Sequence, residues 1–138
     1  MKRLLLPFVA FLMLIGAAPA SSSAVAEGMP VVSGPGAKFG GYASAAVVVQ
    51  PGAKITYYNF DIEKHNVVHD AIADGVYAKK KMPWCRDFPK KKCPLFWSQL
   101  IGLDQTPVLG LENLKAGQAY TFYCTLHPGM KGRLVAAP

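Results

Sequence analysis

Ala119-Tyr120-Thr121-Phe122-Tyr123-Cys124-Thr125-Leu126-His127-Pro128-Gly129-Met130 is the stretch on which the fold turns. Its first half is aromatic and β-branched, the composition of a strand. Its second half cannot be helical, because Pro128-Gly129 breaks any regular period. Gly132-Arg133-Leu134-Val135-Ala136 then reads as a last strand. The segment is therefore strand, tight turn, strand. The turn carries a thiol, an imidazole and a thioether within seven positions, and such a turn can aim all three at one point.

Upstream, the same two-residue rhythm recurs. Glu112 to Gln118 is a turn leading into the strand at Ala119. Lys54-Ile55-Thr56-Tyr57-Tyr58-Asn59-Phe60 alternates like a half-buried strand, and Pro51-Gly52 separates it from the β-prone run Ala45 to Gln50. This pair predicts a β-hairpin or a tight β-corner. Asp61 to Lys64 is a short polar connection, and His65-Asn66-Val67-Val68-His69 is strand-like again. No segment keeps a long helical period and no internal repeat is present. Short strands punctuated by turns predict an all-β fold, a sandwich or barrel, over residues 43–138. Residues 71–103 read as an elaborated loop with one short helix or strand. Residues 27–42, rich in Gly and Pro, read as a flexible leader or a weak first strand.

The N-terminus has a different character. Lys2-Arg3 precedes an apolar run from Leu4 to Ile15, followed by small residues up to Ala26. This is the layout of a secretory signal peptide over residues 1–26, with small-x-small cleavage sites after Ala20 or Ala26. The apolar run is too short for a bilayer span. The expectation is an exported chain, periplasmic, extracellular or at the cell surface. Of the 138 residues, 15 are Lys or Arg and 8 are Asp or Glu, a net charge of +7. Without Lys2 and Arg3 the balance is 13 against 8, or +5. A basic domain favours acidic partners or anionic membranes. Nucleic-acid binding is not expected, because no aromatic platform accompanies the lysines.

There are three cysteines, and export places them where disulfides persist. Cys85 and Cys93 are close in a loop-like region and read as a disulfide; a second metal site is disfavoured because no His lies beside them. Cys124 is the odd thiol and needs another explanation. Its companions His127 and Met130 supply one, with His65 the candidate for a second imidazole from a distant strand. Two imidazoles and a thiolate with a weak axial thioether are the donors of a blue-copper centre. Soft sulfur suits Cu(I), imidazole serves both oxidation states, and no coordination position stays open for a substrate.

These segments resemble the cupredoxin family of plastocyanins, pseudoazurins and amicyanins. Phe60 to Val68 is similar to the family's segment around its first histidine ligand, and Tyr123 to Met130 to its C-terminal ligand loop, with an amicyanin-like gap between His127 and Met130. The likeness covers residues 43–70 and 105–138. It implies a Greek-key β-sandwich holding one type 1 copper ion through His65, Cys124, His127 and Met130. It implies that Asn66 hydrogen-bonds toward Thr125 and that His127 is the exposed ligand, rimmed by Pro128, Gly129 and Gly132. It also implies a monomeric carrier cycling Cu(II)/Cu(I) between redox proteins, not an enzyme. The alternative is a copper protein for delivery, storage or resistance.

Each feature has a plainer reading. Cys124 could be a structural core cysteine and His65 an ordinary turn histidine. His69 is read as a core or surface histidine, not a fifth ligand. Met29 and Met82 are read as packing or surface residues. The runs Lys79-Lys80-Lys81 and Lys90-Lys91-Lys92, with Arg86, are either a solvated face or a dock for an acidic redox partner.

Overall fold

Alternation of apolar and polar residues makes most strands of this chain bury one face. In Ile55–Asn59 the buried positions are Ile55, Tyr57 and Asn59; in Ala46–Val49 they are Val47 and Val49. The computed structural model describes residues 28–79, 81–89 and 92–138; the signal-peptide reading lies outside these residues. Among them are strands β1 (Val31–Ser33), β2 (Ala46–Val49), β3 (Ile55–Asn59), β4 (Val68–His69), β5 (Asp104–Val108), β6 (Ala119–Tyr123) and β7 (Lys131–Ala136). One sheet has the order β1-β3-β5, the other β2-β7-β6-β4.

The two sheets close over one core. Val31, Tyr57 and Val108 come from the first sheet; Val47, Tyr120, Phe122 and Leu134 come from the second. Tyr42 lies between them, its ring 4.8 Å from Phe122 and 6.3 Å from Tyr57, edge-on to both. β2 and β3 belong to different sheets, so Pro51-Gly52 makes a corner and not a hairpin. Strands that change sheet instead of pairing with their sequence neighbours give the winding of a Greek-key sandwich.

Of the two readings of residues 27–42, the weak first strand holds from Val31 onward, in place of the flexible leader. β1 pairs in parallel with β3, Val31 against Tyr57, and a one-turn helix α1 (Ala37–Gly40) follows. Gly and Pro in this stretch hide its three buried anchors, Val31, Ala37 and Tyr42. Residues 71–103 are the elaborated loop expected, holding a one-turn helix α2 (Ala71–Asp74) and a 3-10 turn (Pro83–Asp87), and its end makes isolated bridges to the strands. Trp97 bridges to Val68 and Ile101 to His65. β5 was not legible as a strand because Pro107 interrupts it; as an edge strand, paired only with β3, it tolerates the missing donor.

Buried polar groups fix the turn after β3. Ser33 Oγ bonds Tyr57 Oη at 2.6 Å and donates to Asn59 Oδ1 at 2.8 Å. Asn59 Nδ2 donates to the carbonyls of Glu63 (2.8 Å) and Ile101 (2.9 Å), while Asn59 Oδ1 accepts the Asp61 N–H (2.9 Å). One buried amide thus shapes the whole segment from Asp61 to His65.

Candidate metal centre

The turn after β6 is closed by its own backbone. The His127 N–H donates to Cys124 O at 3.2 Å, the Met130 N–H to His127 O at 2.8 Å, and the Cys124 N–H to Met130 O at 3.1 Å. Gly132 lets this turn run into β7. A Cβ there would lie 2.2 Å from Phe122 Cζ, so only glycine admits the ring across the strand. Gly132 is a partly exposed residue of β7.

His65 comes from the connection between β3 and β4, which crosses from the first sheet to the second. Its N–H and carbonyl both pair with Ile101, at 3.0 Å each. Asn66 then joins the two loops as expected: its Oδ1 accepts from the Thr125 N–H at 2.9 Å and from Thr125 Oγ1 at 3.1 Å. Tyr42 Oη donates to the Asn66 carbonyl and holds that residue from the core side. Burial pushes the Tyr42 hydroxyl's pKa up, with a further push from Cys124, so it stays a neutral donor.

Three donor atoms converge. Cys124 Sγ is 3.7 Å from both His65 Nδ1 and His127 Nδ1, and the two Nδ1 atoms are 3.1 Å apart. The point equidistant from the corners of that triangle lies about 2.0 Å from each, the length of metal bonds to nitrogen and sulfur (~2.0–2.3 Å). The opposite edges of both rings face carboxylates. His65 Nε2 meets Asp61 Oδ2 at 3.1 Å, and His127 Nε2 meets Glu63 Oε2 at 3.3 Å. The hydrogen bond to Asp61 favours the proton on His65 Nε2 and leaves that ring's Nδ1 lone pair for the common centre, while Glu63 stands within ion-pair distance of His127 Nε2. Three soft or borderline donors with their lone pairs converging fit a copper ion.

Asp61 is itself anchored. Its Oδ2 also accepts the Ala37 N–H of α1 at 2.9 Å, and Glu63 pairs with Lys38 from the same helix. The hydrogen bond from His65 holds the Asp61 carboxyl below the usual carboxylate range, reinforced by the backbone donors of Ala37 and Glu63 against the opposing effect of burial. Asp61 and Glu63 were missed as functional residues in the sequence, where they read as a polar connection. Two acids, four and two residues before a candidate histidine ligand, were the available signal.

His65 and Cys124 are fully buried, whereas the His127 side chain is 23% exposed. Reactive cysteines are partly exposed, and Cys124 is not. Met130 is buried, and its carbonyl closes the turn by accepting the Cys124 N–H. His69 lies elsewhere in the core. Its Nε2 faces Asp74 Oδ2 at 3.2 Å and its Nδ1 accepts the Leu95 N–H at 3.1 Å. It ties α2 and the end of the long loop to the second sheet, as a core histidine and not a ligand. Cys85 and Cys93 form the expected disulfide, leaving Cys124 as the free cysteine among the described residues.

The family described as copper binding proteins of the plastocyanin/azurin type matches residues 32–137. No curated protein sequence matches the chain. Among solved structures, a purple cupredoxin from Nitrosopumilus maritimus aligns with a TM-score of 0.54 at 18% identity, covering 78% of this chain and 98% of the other. A reduced Cu(I) form of an amicyanin variant at pH 4 gives 0.51 at 18% identity, covering 85% and 89%. A second reduced amicyanin variant gives 0.51 at 19%, with the same coverage. At these identities the likeness is one of fold.

Proposed function

Since the chain belongs to the plastocyanin/azurin family of copper-binding proteins, we propose that it is an exported type 1 copper electron carrier with His65, Cys124, His127 and Met130 as ligands. The observation that carries this reading is the triangle of Cys124 Sγ and the two Nδ1 atoms, each imidazole facing a carboxylate at its Nε2. Copper held there supplies a one-electron Cu(II)/Cu(I) couple. The residues around it keep the donors still: Asp61 and Glu63 orient the rings, and Asn66 joins the loops that carry His65 and Cys124. Donors that need not move on oxidation or reduction suit rapid electron exchange.

Met130 joins the set because its backbone bonds place it directly across the turn from Cys124, and a thioether suits the weak axial position. His127 is the donor residue that reaches the surface, next in sequence to exposed Leu126. Redox proteins exchanging electrons with the site would approach there. Export agrees with the leader; no helix among the described residues is long and apolar enough to cross a membrane.

The test is spectroscopic. Protein titrated with Cu(II) should show intense visible absorption that is bleached by a reductant and restored by an oxidant. Cys124→Ser should abolish the band; a variant that keeps it refutes the ligand assignment. Electron exchange with a small redox protein should be reversible over many cycles without loss of copper. Release of Cu(I) to an acceptor on each cycle would instead make the protein a copper-delivery factor.

A further inference from the structure

Charge is distributed very unevenly over this domain. Residues 79–92 contain seven Lys or Arg and a single acid, Asp87. The rest of residues 28–138 contains six basic and six acidic side chains and is neutral. The whole positive charge of the domain therefore resides in one loop. That loop is closed at its base: the Cys85–Cys93 disulfide links its middle to its end, and the Ala78 N–H donates to Cys93 O at 2.9 Å. Lys79, Lys81, Arg86 and Lys92 are exposed.

The loop lies at the end of the sandwich opposite the metal centre, on two independent ladders. Along the first, His65 pairs with Ile101, Val68 with Trp97, and His69 N–H with Phe96 O. Five residues at about 3.3 Å each put Phe96 some 16 Å along the strand from Ile101, and Cys93 comes after it. Along the second, β3 turns toward the metal centre at Asn59, whereas its opposite end lines a groove of about 840 Å³ with Met82 and Trp84 of the loop. Gly110 in this groove has φ +94°, and a Cβ there would strike Leu95 O at 2.2 Å and Trp84 at 2.9 Å. The loop is thus packed firmly onto the far pole.

We propose that the disulfide-closed basic loop, residues 79–92, is an electrostatic docking surface for an anionic lipid membrane. A redox partner seated on this loop would be held at the wrong end for electron exchange, so the occupant is an anchor and not an electron acceptor. Six of the seven cations are Lys, compact point charges suited to a diffuse anionic surface; bidentate capture of fixed carboxylates would call for Arg. No large hydrophobic side chain described in the loop is exposed, so contact is by charge without insertion. The neutral remainder makes the domain a dipole that lands loop-first, with His127 facing away. The outward pose matters only under the electron-carrier reading; the lipid contact does not depend on it.

The experiment is co-sedimentation of the full chain with vesicles of equal parts phosphatidylglycerol and phosphatidylcholine, against pure phosphatidylcholine, with and without copper. The N-terminus, with Lys2 and Arg3, is common to every variant, so differences between variants report on the loop. Each Lys→Gln change should weaken partitioning onto the anionic vesicles roughly fivefold, and K79Q/K81Q/K92Q together roughly 100-fold. K79R/K81R/K92R, which keeps the charge, should bind like the parent. Raising salt from about 0.02 to about 0.5 M should remove the anionic preference, as the Debye length shrinks severalfold. Circular dichroism of the triple variant checks that it is folded. Equal partitioning onto neutral vesicles, or a folded K79Q/K81Q/K92Q that binds like the parent, overturns the proposal. Tighter retention on immobilised poly-glutamate than on the vesicles also overturns it, in favour of an acidic protein partner. Binding without copper separates this result from any failure of the electron-carrier reading.

Discussion

Asn66→Ala isolates the strut between the two ligand loops. The Asn66 carboxamide oxygen accepts two hydrogen bonds from Thr125, at 2.9 and 3.1 Å, across 59 residues of sequence. At about 0.5–1.5 kcal/mol net each, their loss should lower the stability of the metal-free protein by about 1–3 kcal/mol. In a domain of this size that is a fall in Tm of roughly 4 °C per kcal/mol. The larger consequence should fall on the site, because Asn66 follows His65 and Thr125 follows Cys124. Freed from each other, the loops must be re-ordered by the metal, and Cu(I) affinity should drop about 10–100-fold, the usual effect of losing a residue that supports a ligand. Urea unfolding of the metal-free form measures the first effect; competition with a Cu(I) chelator measures the second. Asn66→Asp, which keeps the acceptor oxygen, should recover most of both. If Asn66→Ala unfolds as expected yet binds Cu(I) within twofold of the parent, the strut stabilises the fold without organising the site, and the reasoning is wrong.

Four further outcomes are expected. Gly132→Ala places a methyl 2.2 Å from the buried Phe122 ring and should cost about 1–3 kcal/mol by overpacking, read from chemical denaturation; an unchanged midpoint would show that the ring has room. Burial lowers the pKa of His69, so its neutral form is the native one. Stability should be complete above the ordinary histidine value near ~6.5 and fall as pH drops below it; His69→Gln should flatten that limb of the pH–stability curve. Asp61 has the depressed carboxylate pKa, so its contribution should persist above the ordinary value near ~3.9 and vanish as pH falls through the lower folded value. In Asp61→Asn the acid limb should be shallower, measured on metal-free protein. Cys85→Ser/Cys93→Ser should lose about 2–3 kcal/mol of stability from an eight-residue separation while leaving the visible spectrum of the copper-loaded protein unchanged; a shifted spectrum would mean that the two poles are coupled.

Two of the three converging donors were legible in the sequence because their chemistry is local. Cys124 and His127 lie three positions apart beside a Pro-Gly turn, and such a turn between two β-prone runs has few conformations. The alternation in β3 and β6 announced the sandwich for the same reason, since a period of two is written into neighbouring residues. What only the tertiary structure decided was non-local. That His65 rather than His69 meets Cys124 depends on the pairing of His65 with Ile101, a contact no spacing encodes. That Asp61 and Glu63 stand behind the two imidazoles depends on how Asn59 folds the intervening turn. Val31 belongs to the core because β1 finds β3 in parallel, 26 residues away at Tyr57, where local composition suggested a loose leader. Local physics sets what each segment can be; which segments meet is settled by the closing of two sheets over one core.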